Sequence, residues 1–149
     1  MKNIFIILLL FILNQSIAYS KVHQIEMRNS KDRQNMVFSP DFLSIKEGDE
    51  VEFLPIDKGH NSQAILVPDG SSKWQGKNDE KIKITFIKEG IYIYECKNHA
   101  VMGMAGAITV GKNLENQKDA EIFLKKYQKK IAINKIRIDK LIEKIANFR

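Results

Sequence analysis

The chain has a single cysteine, Cys96, in 149 residues. One thiol excludes an internal disulfide and any paired-thiol chemistry. Histidine is scarce as well, with only His23, His60 and His99. The unbroken apolar run Ile4–Leu13 has ten residues, about half of what a bilayer-spanning helix needs. Internal repeats and low-complexity stretches are missing, and residues 119–148 contain neither glycine nor proline.

The short apolar run has another reading. Lys2 precedes it, and Ala18-Tyr19-Ser20 follows with the small-x-small form of a cleavage site. Residues 1–20 are therefore expected to be a cleaved signal peptide, with the mature chain starting at Lys21, or at Tyr19 if Ser16-Ile17-Ala18 is cut. No cysteine lies near this region, which excludes lipid attachment there. Export to an oxidising compartment makes an unpaired thiol a liability unless it is buried or held by a metal.

The net charge of +6 is unevenly spread. Residues 21–110 carry a net −1 and residues 111–149 a net +6. The basic excess belongs to the tail, so the overall charge does not argue for nucleic acid binding.

Residues 21–111 read as short strands separated by turn signals. Val22–Met27, Met36–Phe38, Phe42–Ile45, Glu50–Ile56, Ala64–Val67, Lys81–Ile87, Ile91–Cys96 and Ala105–Val110 are the expected strands. Asn29–Asn35 reads as a polar turn, Ser71–Glu80 as a polar loop around Trp74, and Pro55 as an edge or strand end. This spacing predicts an all-β sandwich or barrel. In the tail, Leu124, Tyr127, Ile131, Ile138, Leu141, Ile142 and Ile145 recur at helical spacing. One or two amphipathic helices are expected over residues 112–149, broken near Ala132–Asn134 and packed on the sandwich. The alternative is a membrane-surface or partner helix.

The stretch ECKNHAVMGM, Glu95–Met104, gathers unusual chemistry. Cys96, His99 and a methionine sit in one loop after a strong β run. A second imidazole, His60, lies in the break Gly59-His60-Asn61 between two strands. Alone, each residue is more often a core thiol, a loop histidine or a packing thioether. Together they make the two-histidine, one-cysteine set with a weak methionine that holds electron-transfer copper. Thiolate and thioether suit Cu(I), and imidazole suits both oxidation states. Spacing does not choose between Met102 and Met104.

Two segments carry a family resemblance. MVFSPDFLSIKEGDEVEFLPIDKGHNSQAI, residues 36–65, and EGIYIYECKNHAVMGMAGAITVG, residues 89–111, resemble the two ligand segments of the pseudoazurins, periplasmic blue copper proteins of the cupredoxin fold. The basic helical tail resembles theirs too. The resemblance implies a Greek-key β-sandwich with a helical extension, and one copper ion held by His60, Cys96, His99 and Met104. It implies that Asn61 braces the loops and bonds the thiolate through its backbone N–H, and that Met36 lies near the His99 ring. Met102 would sit on an exposed apolar patch. It further implies a monomeric electron carrier, not an enzyme, serving copper nitrite reductase, other denitrification enzymes or a periplasmic cytochrome. An enzyme would need a second metal set, and after His60 and His99 only His23 remains, expected to be a strand residue. A copper chaperone is the competing reading.

Two positions depart from the family. Asn98 stands where proline is common before the second histidine, which is expected to admit water near His99. Glu95 stands where lysine is common before the cysteine, which alters a basic docking ring otherwise supplied by Lys58, Lys73, Lys77 and Lys97.

Overall fold

The computed structural model describes residues 20–148 with their side chains, and the expected signal peptide lies almost wholly outside them. Eight strands follow in order: β1 Val22–Lys31, β2 Gln34–Ser39, β3 Phe42–Ile45, β4 Glu50–Pro55, β5 Gln63–Leu66, β6 Ile82–Thr85, β7 Gly90–Glu95 and β8 Ala105–Val110. Two helices close the chain, α1 Gln117–Tyr127 and α2 Ile136–Ala146. The strands form two four-stranded sheets, ordered β2-β1-β4-β6 and β3-β8-β7-β5. The fold is mainly β, the cupredoxin sandwich with two C-terminal helices. Parallel pairings of β1 with β4 and of β3 with β8 make the crossovers.

The unbroken apolar run of β7 follows from burial on both faces. Strand alternation sends Tyr92, Tyr94 and, one residue past the strand, Cys96 into the space between the sheets. Phe38, Phe53, Trp74 and Ile108 meet them there. Ile91 and Ile93 point the other way, against Leu124, Ile138, Leu141 and Ile145 of the helices. The apolar face of the tail thus packs on the sandwich. The break between the helices falls at the expected place, with Asn134 at φ 59°.

Two readings change. The segment 29–35 is not a long turn: β1 runs on to Lys31 and pairs with β2 through Ser30↔Asn35 and Lys31↔Gln34. A two-residue turn, Asp32-Arg33, suffices because both residues take positive φ, 52° and 63°, which matches the twist of a tight hairpin. Trp74, placed in a polar loop by sequence, is buried. Its indole N–H donates to Ser62 Oγ at 3.0 Å while its ring packs between Phe53 and Phe86. Pro55 ends β4, where its missing donor is tolerated.

His23 lies in β1, and its Nε2 is 3.0 Å from Asp49 Oδ2. Asp49 is buried and also accepts the backbone N–H groups of Lys21 and Lys46 at 2.9 and 3.0 Å. Burial pushes its carboxyl up, but these bonds together outweigh it and hold the pKa below the usual carboxylate range.

Two outcomes follow from this packing. Leu124→Ala, at a fully buried position, is expected to cost about 2–5 kcal/mol in denaturant unfolding, whereas Ile122→Ala, at a 43% exposed one, should stay within about 0.5 kcal/mol. Because the folded pKa of Asp49 is depressed, its contribution is complete above roughly pH 4 and lost as pH falls through the folded value. Asp49→Asn should therefore lower stability at neutral pH and flatten the acid limb of the stability curve.

Candidate metal centre

Three donors converge at one end of the sandwich. Cys96 follows β7, His60 lies between β4 and β5, and His99 precedes the 3₁₀ turn Ala100–Met102. Cys96 Sγ is 3.9 Å from His60 Nδ1 and 3.5 Å from His99 Nδ1. All three atoms lie within 4.8 Å of one another. Donors so spaced are reachable by one ion with bonds of about 2.0–2.3 Å. The loop that carries Cys96 and His99 is closed by backbone bonds from Cys96 N–H to Met104 O at 3.0 Å and from His99 N–H to Cys96 O at 3.1 Å.

Burial separates the two methionines. Met104 is 1% exposed and sits in the same core cluster as Cys96. Met102 is half-buried, next to Val101 at 56% exposed. His60 and Cys96 are wholly buried, while His99 is only partly so. One imidazole of the set thus reaches the surface.

His60 is fixed by a residue that sequence reading missed. Its Nε2 is 3.0 Å from Asn29 Oδ1. An amide oxygen only accepts, so Nε2 carries the proton and Nδ1 turns a lone pair toward the sulfur. Burial, then the neighbouring His99, lowers the His60 pKa and favours this neutral form. Asn29 is itself held by its backbone N–H bond to Asp57 Oδ2 at 2.7 Å. It lies 31 residues before His60 in a stretch that looks like turn chemistry, so no local pattern marks it.

Around the donors runs a network of asparagine side chains. Asn61 Oδ1 accepts from Lys97 N–H at 2.8 Å, tying the first histidine's loop to the second. Its Nδ2 donates to Asn78 Oδ1 at 2.8 Å. Both bonds are made by the Asn61 side chain. Met36 packs against the core cluster that holds Cys96 and Met104.

The donor set, two imidazole nitrogens, a buried thiol and a buried thioether, fits copper. Known proteins agree. Residues 25–111 match the family of copper binding proteins described as the plastocyanin/azurin family. The pseudoazurin of Paracoccus pantotrophus is 35% identical over 101 residues, 66% of this chain and 70% of that protein. The chain belongs to the pseudoazurins. The structure of pseudoazurin from Methylobacterium extorquens AM1 matches it with a TM-score of 0.74 at 30% identity, covering 87% of this chain and 100% of that one. That from Hyphomicrobium denitrificans gives 0.70 at 32%, covering 83% and 97%. The chain is a blue copper electron carrier, not an enzyme. A chaperone would need donors that a partner can reach, and here Cys96 and Met104 are sealed in the core.

The two departures from other pseudoazurins acquire a physical account. Asn98 does not leave the loop loose. Its Nδ2 donates to Gly59 O at 2.9 Å and to Asn78 Oδ1 at 3.0 Å, linking the loops of both histidines. Glu95 does not sit free in a docking ring. It is half-buried, accepting Tyr127 O–H at 2.7 Å and Gln63 Nε2–H at 2.6 Å. Lys58, Lys77 and Lys97 remain exposed, and none makes an ion pair among the described residues.

Asn29→Ala should free the His60 ring to rotate or change tautomer. Copper affinity, read by competition with a chelator, is expected to fall about tenfold, the low end for loss of a partner that orients a metal ligand. Unchanged affinity would show that the buried ring is set by packing alone.

Proposed function

We propose that His60, Cys96, His99 and Met104 hold the one copper ion, and that residues 21–111 form the copper domain of an exported protein passing single electrons between periplasmic redox partners. Bound copper supplies a Cu(I)/Cu(II) couple. The convergence of Nδ1, Sγ and Nδ1 in a buried loop cluster carries the reading. Cys96 serves as thiolate, since a coordinating thiol gives up its proton. The asparagine network and the backbone bonds of the loop keep the donors where they are, so both oxidation states meet nearly the same cage. Little rearrangement means fast transfer.

Exposure assigns the exit path. His60, Cys96 and Met104 are closed off from water, and His99 is the one ligand at the surface. Half-buried Ala100 and Met102 and exposed Val101 flank it as an apolar contact for brief docking. Lys58, Lys73, Lys77 and Lys97 would steer acidic partners toward this end. Copper nitrite reductase, another denitrification enzyme or a periplasmic cytochrome would fit. The signal-like residues 1–20 support a periplasmic site of action. Among the described residues, no helix is long and apolar enough to cross a membrane. A monomer is the expected state, since the tail's apolar face is used within the chain.

Voltammetry of the copper-loaded protein tests this reading: a reversible one-electron wave is expected, and an irreversible or absent one would overturn it. Met104→Gln should shift the visible spectrum and the potential while copper is retained, and Met102→Gln should change both little. The reverse pattern would assign the axial position to Met102. Electron transfer to an acidic partner should slow as salt rises from about 0.01 to 0.15 M, where the Debye length falls from about 30 to 8 Å.

A further inference from the structure

The apolar faces of α1 and α2 are enough to dock the tail on the sandwich. A separate set of polar contacts runs from the tail to the copper loop. Between the helices, Ala132 N–H donates to Val101 O at 2.8 Å, and Ile133 N–H reaches the same oxygen at 3.4 Å. Asn134 Nδ2 donates to Met102 O at 3.2 Å. These oxygens belong to the 3₁₀ turn between His99 and Met104. The approach is close: a Cβ on Gly103, whose φ is 76°, would lie 3.2 Å from Asn134 O and 3.4 Å from Ile133 O.

The same stretch of tail also holds the residue before Cys96 and the neighbouring strand β2. At the end of α1, Tyr127 O–H donates to Glu95 Oε2 at 2.7 Å, one residue before Cys96. Its ring is buried, and burial followed by the adjacent carboxylate raises its pKa, so the hydroxyl keeps its proton. At the start of α2, Arg137 forks onto two backbone oxygens, Met36 O at 2.9 Å and Asn35 O at 2.8 Å. Met36 has φ 52°, a conformation that costs a side-chain-bearing residue free energy and persists when neighbours hold it.

We propose that residues 127–137 form a clasp that positions the copper loop before metal binds, with Tyr127, Asn134 and Arg137 as positioning residues. The clasp touches the residue before Cys96, the turn between His99 and Met104, and the neighbouring strand β2, and none of its groups is a donor itself. Glu95 belongs to the device: it gives the tail a carboxylate acceptor one residue before the thiol. The inference rests on the copper reading only for the role of the loop. The contacts and their effect on loop order exist without metal.

Amide hydrogen exchange on the metal-free protein is the test, because it reads local opening residue by residue. Asn134→Gly keeps a backbone that accepts φ 59° and deletes one bond. Tyr127→Phe keeps the ring and deletes another. In the double variant the amides of Met102, Gly103 and Met104 should exchange about tenfold faster, equivalent to roughly 1.4 kcal/mol, while Ile25 and Phe53 in the other sheet keep their rates. Copper release, followed by chelator capture, should also quicken about tenfold. Loop amides that exchange at the parent rate, or a uniform rise across both sheets, would overturn the clasp. Failure of the parent to form a reversible copper couple would overturn the electron-carrier reading instead, and the exchange result would stand.

Discussion

The functional end depends on one constraint: a sulfur and two imidazole nitrogens must stay within 4.8 Å of one another in a place that water barely reaches. Nothing in the donors themselves favours this. Two imidazoles and a sulfur gain no strong mutual attraction, and burying them forfeits hydration. The surrounding protein supplies the order. Strand β7 delivers Cys96 between the sheets by alternation. The β4–β5 connection delivers His60, pinned by Asn29. Asn61, Asn78 and Asn98 then join the two histidine loops through side-chain amides that need no charge.

That arrangement also explains the tail. A sandwich open at one end leaves the ligand loop as a protruding turn whose carbonyls would otherwise meet only water. The two helices cover the outer face of the β3-β8-β7-β5 sheet, and the segment between them reaches the turn. Packing energy and loop order thus come from the same element but from different residues, the buried leucines and isoleucines on one hand and the polar groups of residues 127–137 on the other. The positive charge of the tail is spread along its solvent side.

Much of this was legible in the sequence because it is periodic or chemically conspicuous. Alternation revealed the strands, the glycine-free tail its helices, and a lone thiol beside a histidine and methionines the metal loop. The rest depends on contacts between distant residues. Asn29 looks like turn chemistry until β1 is seen to continue into a tight hairpin that leaves it facing His60. Trp74 sits among polar neighbours, yet its ring fills the space between Phe53 and Phe86. Glu95 reads as a reversed surface charge until Tyr127, 32 residues later, is found beside it. Asn98 reads as a polar residue in a proline position until Gly59 and Asn78 are found to accept its amide. In each case the missing information was a partner far away along the chain.

The central claim is that the Cys96 thiolate binds copper in this cage. Its most direct test is the visible absorption spectrum of the protein from Lys21 onward after addition of Cu(II). The account predicts an intense sulfur-to-copper charge-transfer band that vanishes on reduction, returns on reoxidation, and is lost in Cys96→Ser. A colourless or faintly blue protein, or a Cys96→Ser variant with the parent's band, would contradict it.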